Sequence, residues 1–300
     1  MSLLVAIAVF GFAYLLNITW ISVFYHRALA HRALVLSPRT ARFVVRTGPW
    51  ITGMDPLAWV CMHRLHHVHS DTAQDPHSPV HAGIFGVLFA QLRSYRRTLA
   101  HLLLENPKYT RRVRDLDFGV SWTNRYGLWL LPYVVHAAIA LAVAIPTGWW
   151  LVGAAYWFGM MSHPIQGWLV NSFGHAVGGR NFEVQDNSRN NLLIGLLVAG
   201  EGYQNNHHAF PASARFGFKP LELDFGWPLC RLVEQLGLGS IRRDLLLPTP
   251  AEWEARQRVL EQRRASSEDP CSPPLPATSQ CSSSTLHARP ASPRRVKPAG

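Results

Sequence analysis

His63-Arg64-Leu65-His66-His67 is the stretch from which the rest of the chain is read. At about 100° per residue on a helix, His66 and His67 fall about 60° and 40° to either side of His63. Three imidazoles therefore share one stripe of one helix. Two further histidine segments flank it: His26-Arg-Ala-Leu-Ala-His31 upstream and Gln204-Asn-Asn-His207-His208 far downstream. A lone histidine on an apolar face is usually a satisfied core residue. Crowded imidazoles are costly unless a cation holds them neutral and oriented, so three such boxes point to a metal site. His26 and His31 lie about 140° apart on an α-helix. They can both turn inward only if the helix breaks between them, over Arg27–Ala30.

Composition sets the environment of that site. The 300 residues are 48% hydrophobic and 16% charged, with 11 Trp, 14 Phe and 8 Tyr, which suits one membrane-embedded domain. The net charge of +11 comes mainly from arginine and fits the cytoplasmic face of a membrane protein. No basic helix with interleaved stacking aromatics occurs, which excludes nucleic acid as a partner. Cys61, Cys230, Cys271 and Cys281 form no CxxC pair and read as bystanders in a reducing compartment.

Residues 3–25 form an uncharged run long enough to cross a bilayer once, and too long for a signal peptide. Arg27 follows it, which puts its C-terminal end at the cytoplasm and Met1 on the far side. Residues 40–62 are interrupted by arginines, Gly48-Pro49 and Asp55-Pro56, and read as short helices on the membrane surface or against the site. Residues 83–92 are too short to cross. Arg93 to Arg125 carries eight basic residues, a cytoplasmic marker. Tyr126 to Val170 holds two spans, about 127–146 and 149–170, joined by a turn at Pro146-Thr147-Gly148. His136, His163 and Gln166 lie within them and read as interhelical contacts. Leu192 to Ala199 is too short to span and should bury against the metal domain. The expected domain is 1–264, followed by a disordered Ser/Pro/Arg-rich tail, 265–300. The expected fold is an all-α transmembrane bundle with a cytoplasmic helical cap holding the histidines.

The boxes hold seven histidines, His26, His31, His63, His66, His67, His207 and His208, and His175 at the exit of the last span is a plausible eighth. Eight imidazoles exceed the four ligands of a structural zinc and suit two metals with open positions, which argues for iron. Asp71, Asp75, Asp186 and Glu201 are candidates to hold the distal ring nitrogens. His69, His77 and His81 are left out as ligands, His77 with a structural role.

HRALAH (26–31), HRLHH (63–67) with DTAQDPHSP (71–79), NSFGH (171–175), DNSRNN (186–191) and GEGYQNNHHAFP (200–211) together resemble the membrane fatty acid desaturases, notably the stearoyl-CoA desaturase-like branch. The match runs over about residues 10–245 in consistent order. The resemblance implies two iron ions, O2 as co-substrate, and a cis double bond, of delta-9 type, placed in a saturated acyl chain carried by CoA, lipid or acyl-carrier protein. No side chain is a strong enough base or nucleophile to break an unactivated C–H bond. By this likeness the eight histidines are iron ligands, Asn171 binds through water, and Trp59 lines the acyl tunnel. It also implies an integral membrane protein, of the inner membrane in a bacterium, with its catalytic face cytoplasmic.

Two departures stand out. Gln204 occupies a position where this branch usually has histidine, and as a ligand it could offer only a neutral amide oxygen. Glutamine there is shared with front-end desaturases, which commonly carry a fused cytochrome b5. No HPGG haem motif occurs here, so a separate electron donor is implied: a ferredoxin, a flavoprotein or a cytochrome b5-like protein. The family also has two spans before the first box where this chain has one, so an upstream start or a partner helix is expected. Two other readings stay open: a hydroxylase or related oxygenase on the same scaffold, and a non-catalytic metal-binding membrane protein crippled at Gln204.

Overall fold

The computed structural model describes residues 2–75, 77–245 and 247–268. The described residues up to 260 form one compact unit, separate from those that follow. Most of the expected tail, residues 269–300, lies outside the described residues.

Helix α1 (Ser2–Ile18) passes without a break into a π-helix (Thr19–Ala30). Together they form an apolar rod, Leu3–Ala30, of 28 residues, enough to cross a bilayer. No other helix among the described residues meets that length and apolarity. The first half exposes Leu3, Leu4, Ile7, Phe12 and Leu15, whereas Trp20 to Ala30 is buried throughout. The expected span 3–25 thus ends inside protein, and Arg27, read as a surface marker, is fully buried.

Next come β1 (Leu34–Leu36), α2 (Pro38–Thr52) and α3 (Pro56–His69). Asp55-Pro56, read as an interruption, starts the helix that carries the central histidine box. Asp55 Oδ1 accepts the N–H groups of Leu57 and Ala58, both at 3.0 Å, and Pro56 fills the first turn where no N–H is needed. The one-turn helix α4 (Pro79–Ala82) leads to α5 (Gly86–Leu103), so residues 83–92 are the entry to a longer helix packed on α3. Two more single turns follow, α6 (Pro107–Thr110) and α7 (Trp122–Arg125).

Helices α8 (Leu131–Thr147) and α9 (Trp150–Met160) form the expected hairpin, and Gly148 turns it with φ +70°. α9 packs against both α8 and α1. The expected 149–170 span is not one helix. It stops at Met160, and α10 (His163–Ala176) starts afresh with Pro164 in its first turn. Proline has no N–H to continue the ladder, and the freed Met160 carbonyl accepts from Asn17 Nδ2 at 2.6 Å.

The chain ends with α11 (Leu192–Leu197), α12 (Gln204–Ala209), α13 (Gly226–Gln235), β2 (Gly239–Ile241) and α14 (Pro250–Glu268). In α11 and just after it, Ile194, Val198 and Ala199 are buried, but Leu192, Leu193, Leu196 and Leu197 are exposed. The segment therefore does not bury whole, because a single helix shows only one face to its neighbours. The all-α expectation is amended by one antiparallel pair, β1 with β2, in which Leu34 faces Ile241. The main core joins the π-helix to α3, with Tyr25, Val60, Cys61 and Leu65 at its centre.

Candidate metal centre

The π-helix decides the geometry of the first box. The His31 N–H bonds the His26 carbonyl at 3.1 Å, an i to i+5 closure that stacks residues five apart. No break over Arg27–Ala30 is needed. The two rings meet with centroids 4.9 Å apart.

His26, His31, His63, His67 and His207 form one group, with ligand nitrogens all within 4.8 Å of one another. Nε2 of His63 lies 2.8 Å from that of His31 and 3.0 Å from that of His67. Nε2 of His207 lies 2.9 Å from that of His67 and 3.0 Å from that of His26. An Nε2–H can donate to only one neighbour, so a chain of facing nitrogens cannot satisfy itself. A cation can. Imidazole nitrogens bound at about 2.1 Å and at right angles would lie about 3.0 Å apart. Burial first, and then the neighbouring imidazoles, hold His31, His63, His67 and His207 well below the usual histidine pKa. They remain neutral, as ligands must be.

His66, His175 and His208 form a second group. Each Nε2 is buried without a hydrogen-bond partner, while each Nδ1 donates to a carboxylate. Asp75 takes His66 at 3.0 Å, Asp71 takes His175 at 2.9 Å, and Asp186 takes His208 at 2.6 Å. A proton held at Nδ1 leaves the Nε2 lone pair facing inward. Burial lowers the pKa of His66, but Asp75, Asp186 and Asp71 outweigh it and raise the net value. Three carboxylates behind three imidazoles thus favour positive charge at their centre. The two groups fit two cations, and α3 supplies both.

Glu201 completes the set of four carboxylates by accepting His26 Nδ1 at 2.6 Å. It is held in turn by Arg27, whose Nη1 lies 2.8 Å from Glu201 and whose Nη2 lies 3.0 Å from Asp224. Arg27 also stacks 3.8 Å over the Phe216 ring. A buried charge needs such pairing. The sequence reading missed this role, although an arginine directly after a ligand in an apolar helix is the signal for it. Gly200, with φ +87°, lets the chain turn into Glu201, and a side chain there would collide with the Asp224 carboxylate.

Gln204 is buried, and its amide nitrogen donates to the Glu201 carbonyl at 2.7 Å. It passes over Gly174, beside His175, where a Cβ would lie 2.6 Å from its Cγ. Asn171 stands one turn before His175 and hydrogen-bonds His77. His77, set aside at first, stacks on His66 at 4.8 Å with a buried, unpartnered Nδ1. Near it, Asp75 accepts from His66, and the Ser78 hydroxyl donates to Asp71, the partner of His175, at 2.6 Å.

Trp59 lies flat against His63, centroids 5.0 Å apart and planes 13° apart, and its indole N–H donates to His163 Nε2 at 2.9 Å. A cavity of about 60 Å³ opens here, lined on its apolar side by Ile21, Trp59, Met62, Val170 and Val198. His26 and His63 form its inner wall. His163 and Gln166 line it too, so they are more than interhelical contacts. His136 is one, bonded to Tyr156 at 2.6 Å and to the Trp50 carbonyl at 2.7 Å.

The fatty acid desaturase family model matches residues 2–223. The chain belongs to the fatty acid desaturase family. It is 33% identical over 258 residues to a hex-5-enoyl-[acyl-carrier protein] acetylenase of Moorena producens, covering 81% of this chain and 77% of that one. An sn-1 stearoyl-lipid 9-desaturase of Anabaena variabilis is 31% identical over 220 residues, 73% of this chain and 77% of its own. An acyl-CoA 5-desaturase of Anemone leveillei is 33% identical over 223 residues, 72% and 64% of the two chains. As a member of this family the protein is an oxidoreductase of lipid metabolism.

Proposed function

We propose that the chain is an O2-dependent di-iron acyl desaturase that places a cis double bond at the delta-9 position of a saturated acyl chain. The observation that carries this reading is the pair of histidine groups: five converging nitrogens, and three buried Nε2 atoms without partners. His26, His31, His63, His67 and His207 would hold one iron, and His66, His175 and His208 the other. Asn171 through a water and Gln204 through its amide oxygen would complete the two sets. Bound there, the irons would supply the O2-dependent oxidising power that takes two hydrogens from an unactivated chain. The protein's own part is positional. Its four carboxylates keep protons on Nδ1, while Trp59, Met62 and Ile21 hold the hydrocarbon along the wall made by His26 and His63. The similarity to the Anabaena 9-desaturase supports the delta-9 assignment.

The exposed apolar side chains of α1, α8 and α9, among them Phe12, Val134, Ile145, Trp150 and Phe158, support a bilayer around these helices. The histidine end then faces the cytoplasm, in a bacterial inner membrane, and the electron donor is a separate protein.

Expression in a host lacking its own delta-9 desaturase, with fatty acids read by gas chromatography, tests the reading. New delta-9 unsaturated chains are expected, with about two irons per chain by elemental analysis. His66→Ala should abolish product and leave about one iron, with membrane insertion intact. A native protein holding a single zinc and making no unsaturated product would overturn the proposal.

A further inference from the structure

The first histidine group is approached from two sides. The apolar cavity meets it at His26 and His63. A second cavity, of about 450 Å³, meets it at His31 and His67, and the two share no lining residue. This second opening is ringed by Arg111, Arg112 and Arg114, with the half-exposed Val68 on its rim. Arg64, also in its wall, is bound to Asp115 at 2.6 Å, and Arg32 joins the same carboxylate at 2.8 Å. Arg111, Arg112 and Arg114 pair with no carboxylate among the described residues, so three cations face outward. His31 and His67 are half-buried, as are His63 and His208, and of these four only His31 and His67 line this cavity.

Resting on the desaturase reading, we propose that this arginine-ringed cavity is the docking surface for a small acidic one-electron carrier protein, with His31 and His67 as the point of electron entry. Desaturation takes two hydrogens from the acyl chain. Two electrons and two protons from outside complete the reduction of O2 to two waters, so a one-electron carrier must dock twice per turnover. Electron-transfer encounters use small surfaces, and complementary charge raises their on-rate and fixes their register. A small apolar spot inside a cationic ring, over the ring edges of two ligands, meets those needs. The substrate's route lies on the other side, through the apolar cavity, so the carrier can bind while the acyl chain is in place.

The test uses the iron-loaded full chain in phospholipid nanodiscs and an acidic [2Fe–2S] ferredoxin, with affinity measured by surface plasmon resonance. Wild-type affinity should fall steeply as salt rises. In the Arg112→Glu, Arg114→Glu double variant it should weaken about tenfold at low salt and lose most of that salt dependence. The Arg112→Lys, Arg114→Lys variant should keep it, which separates charge from fold. Failure of the wild type to bind, or unchanged affinity in the charge-reversed variant, would overturn the proposal. Displacement of ferredoxin by free CoA would also overturn it, since the cations would then serve the phosphates of an acyl carrier. Binding is read without turnover, so a chain that binds ferredoxin yet makes no unsaturated product fails as a desaturase while the docking surface stands.

Discussion

Each carboxylate that accepts a histidine Nδ1 decides which ring nitrogen keeps its lone pair. Asp186 does so for His208 at 2.6 Å, against burial that, with the imidazoles of His175 and His66, depresses this histidine to about pKa 4. Asp186→Asn leaves the ring in place but weakens the bond that orients it and the charge behind it. Affinity for one of the two ions should fall by about 10- to 100-fold, read by competition with a chelator, while the other ion stays bound. Gln204 bears on the same group. Its amide nitrogen is committed to the Glu201 carbonyl, so only its oxygen, a weak neutral donor, can meet a metal. Gln204→His should keep desaturation and slow the loss of iron to a chelator. A silent native protein beside an active histidine variant would show instead a desaturase crippled at this position.

At the scale of elements, α3 is the strut on which both groups depend, since it carries His63, His66 and His67. Its start rests on one buried side chain. Asp55 caps the helix through Oδ1 and accepts the Ser121 N–H at 2.7 Å through Oδ2. Burial pushes the pKa of this carboxyl up, against the pull of Ser121 and of the helix N–H groups it accepts. Asp55→Ala strands three donors and should cost about 2 kcal/mol or more, seen as a lower thermal midpoint of the purified protein. The π-helix is the other decisive element. Its wider turn brings His31 over His26, and the same turn buries Arg27 against Glu201.

At the scale of the molecule, one unit carries the whole centre, and helices distant in sequence close it. α12 brings His207 and His208 to α3, and asparagines hold it: Asn205 accepts the N–H groups of Asn181 and Phe182 at 2.7 and 2.8 Å. Trp253 of α14 packs on Phe182 with centroids 4.9 Å apart, and so supports that cradle from outside. Truncation after Glu268 should leave desaturation unchanged, because residues 269–300 are mostly Ser, Pro, Ala and Arg, with few apolar side chains to contribute to packing. Removal of residues 250–300 should lower both thermal stability and iron content. Fatty acid profiles and elemental analysis of the two truncations check this.

Much of the centre was legible before any coordinates. Seven of the eight grouped histidines were recognisable from box spacing, His175 from its place at the exit of the last span, and the four carboxylates from their place beside the boxes, because residues that converge from short helical segments keep local periodicity. The hairpin at Gly148 was legible for the same reason, since a turn needs particular residues. What only the tertiary structure decided depends on partners far along the chain. Sequence periodicity assumes an α-helix, so the π-helix that unites His26 with His31 read as a break. Arg27 read as a surface charge because its partners, Glu201 and Asp224, lie more than 170 residues away. The 149–170 run read as one span because apolarity alone does not reveal that Asn17 takes the Met160 carbonyl where α9 ends. The division of eight imidazoles into five and three also waited for the fold, since it depends on how α10 and α12 meet α3 in space.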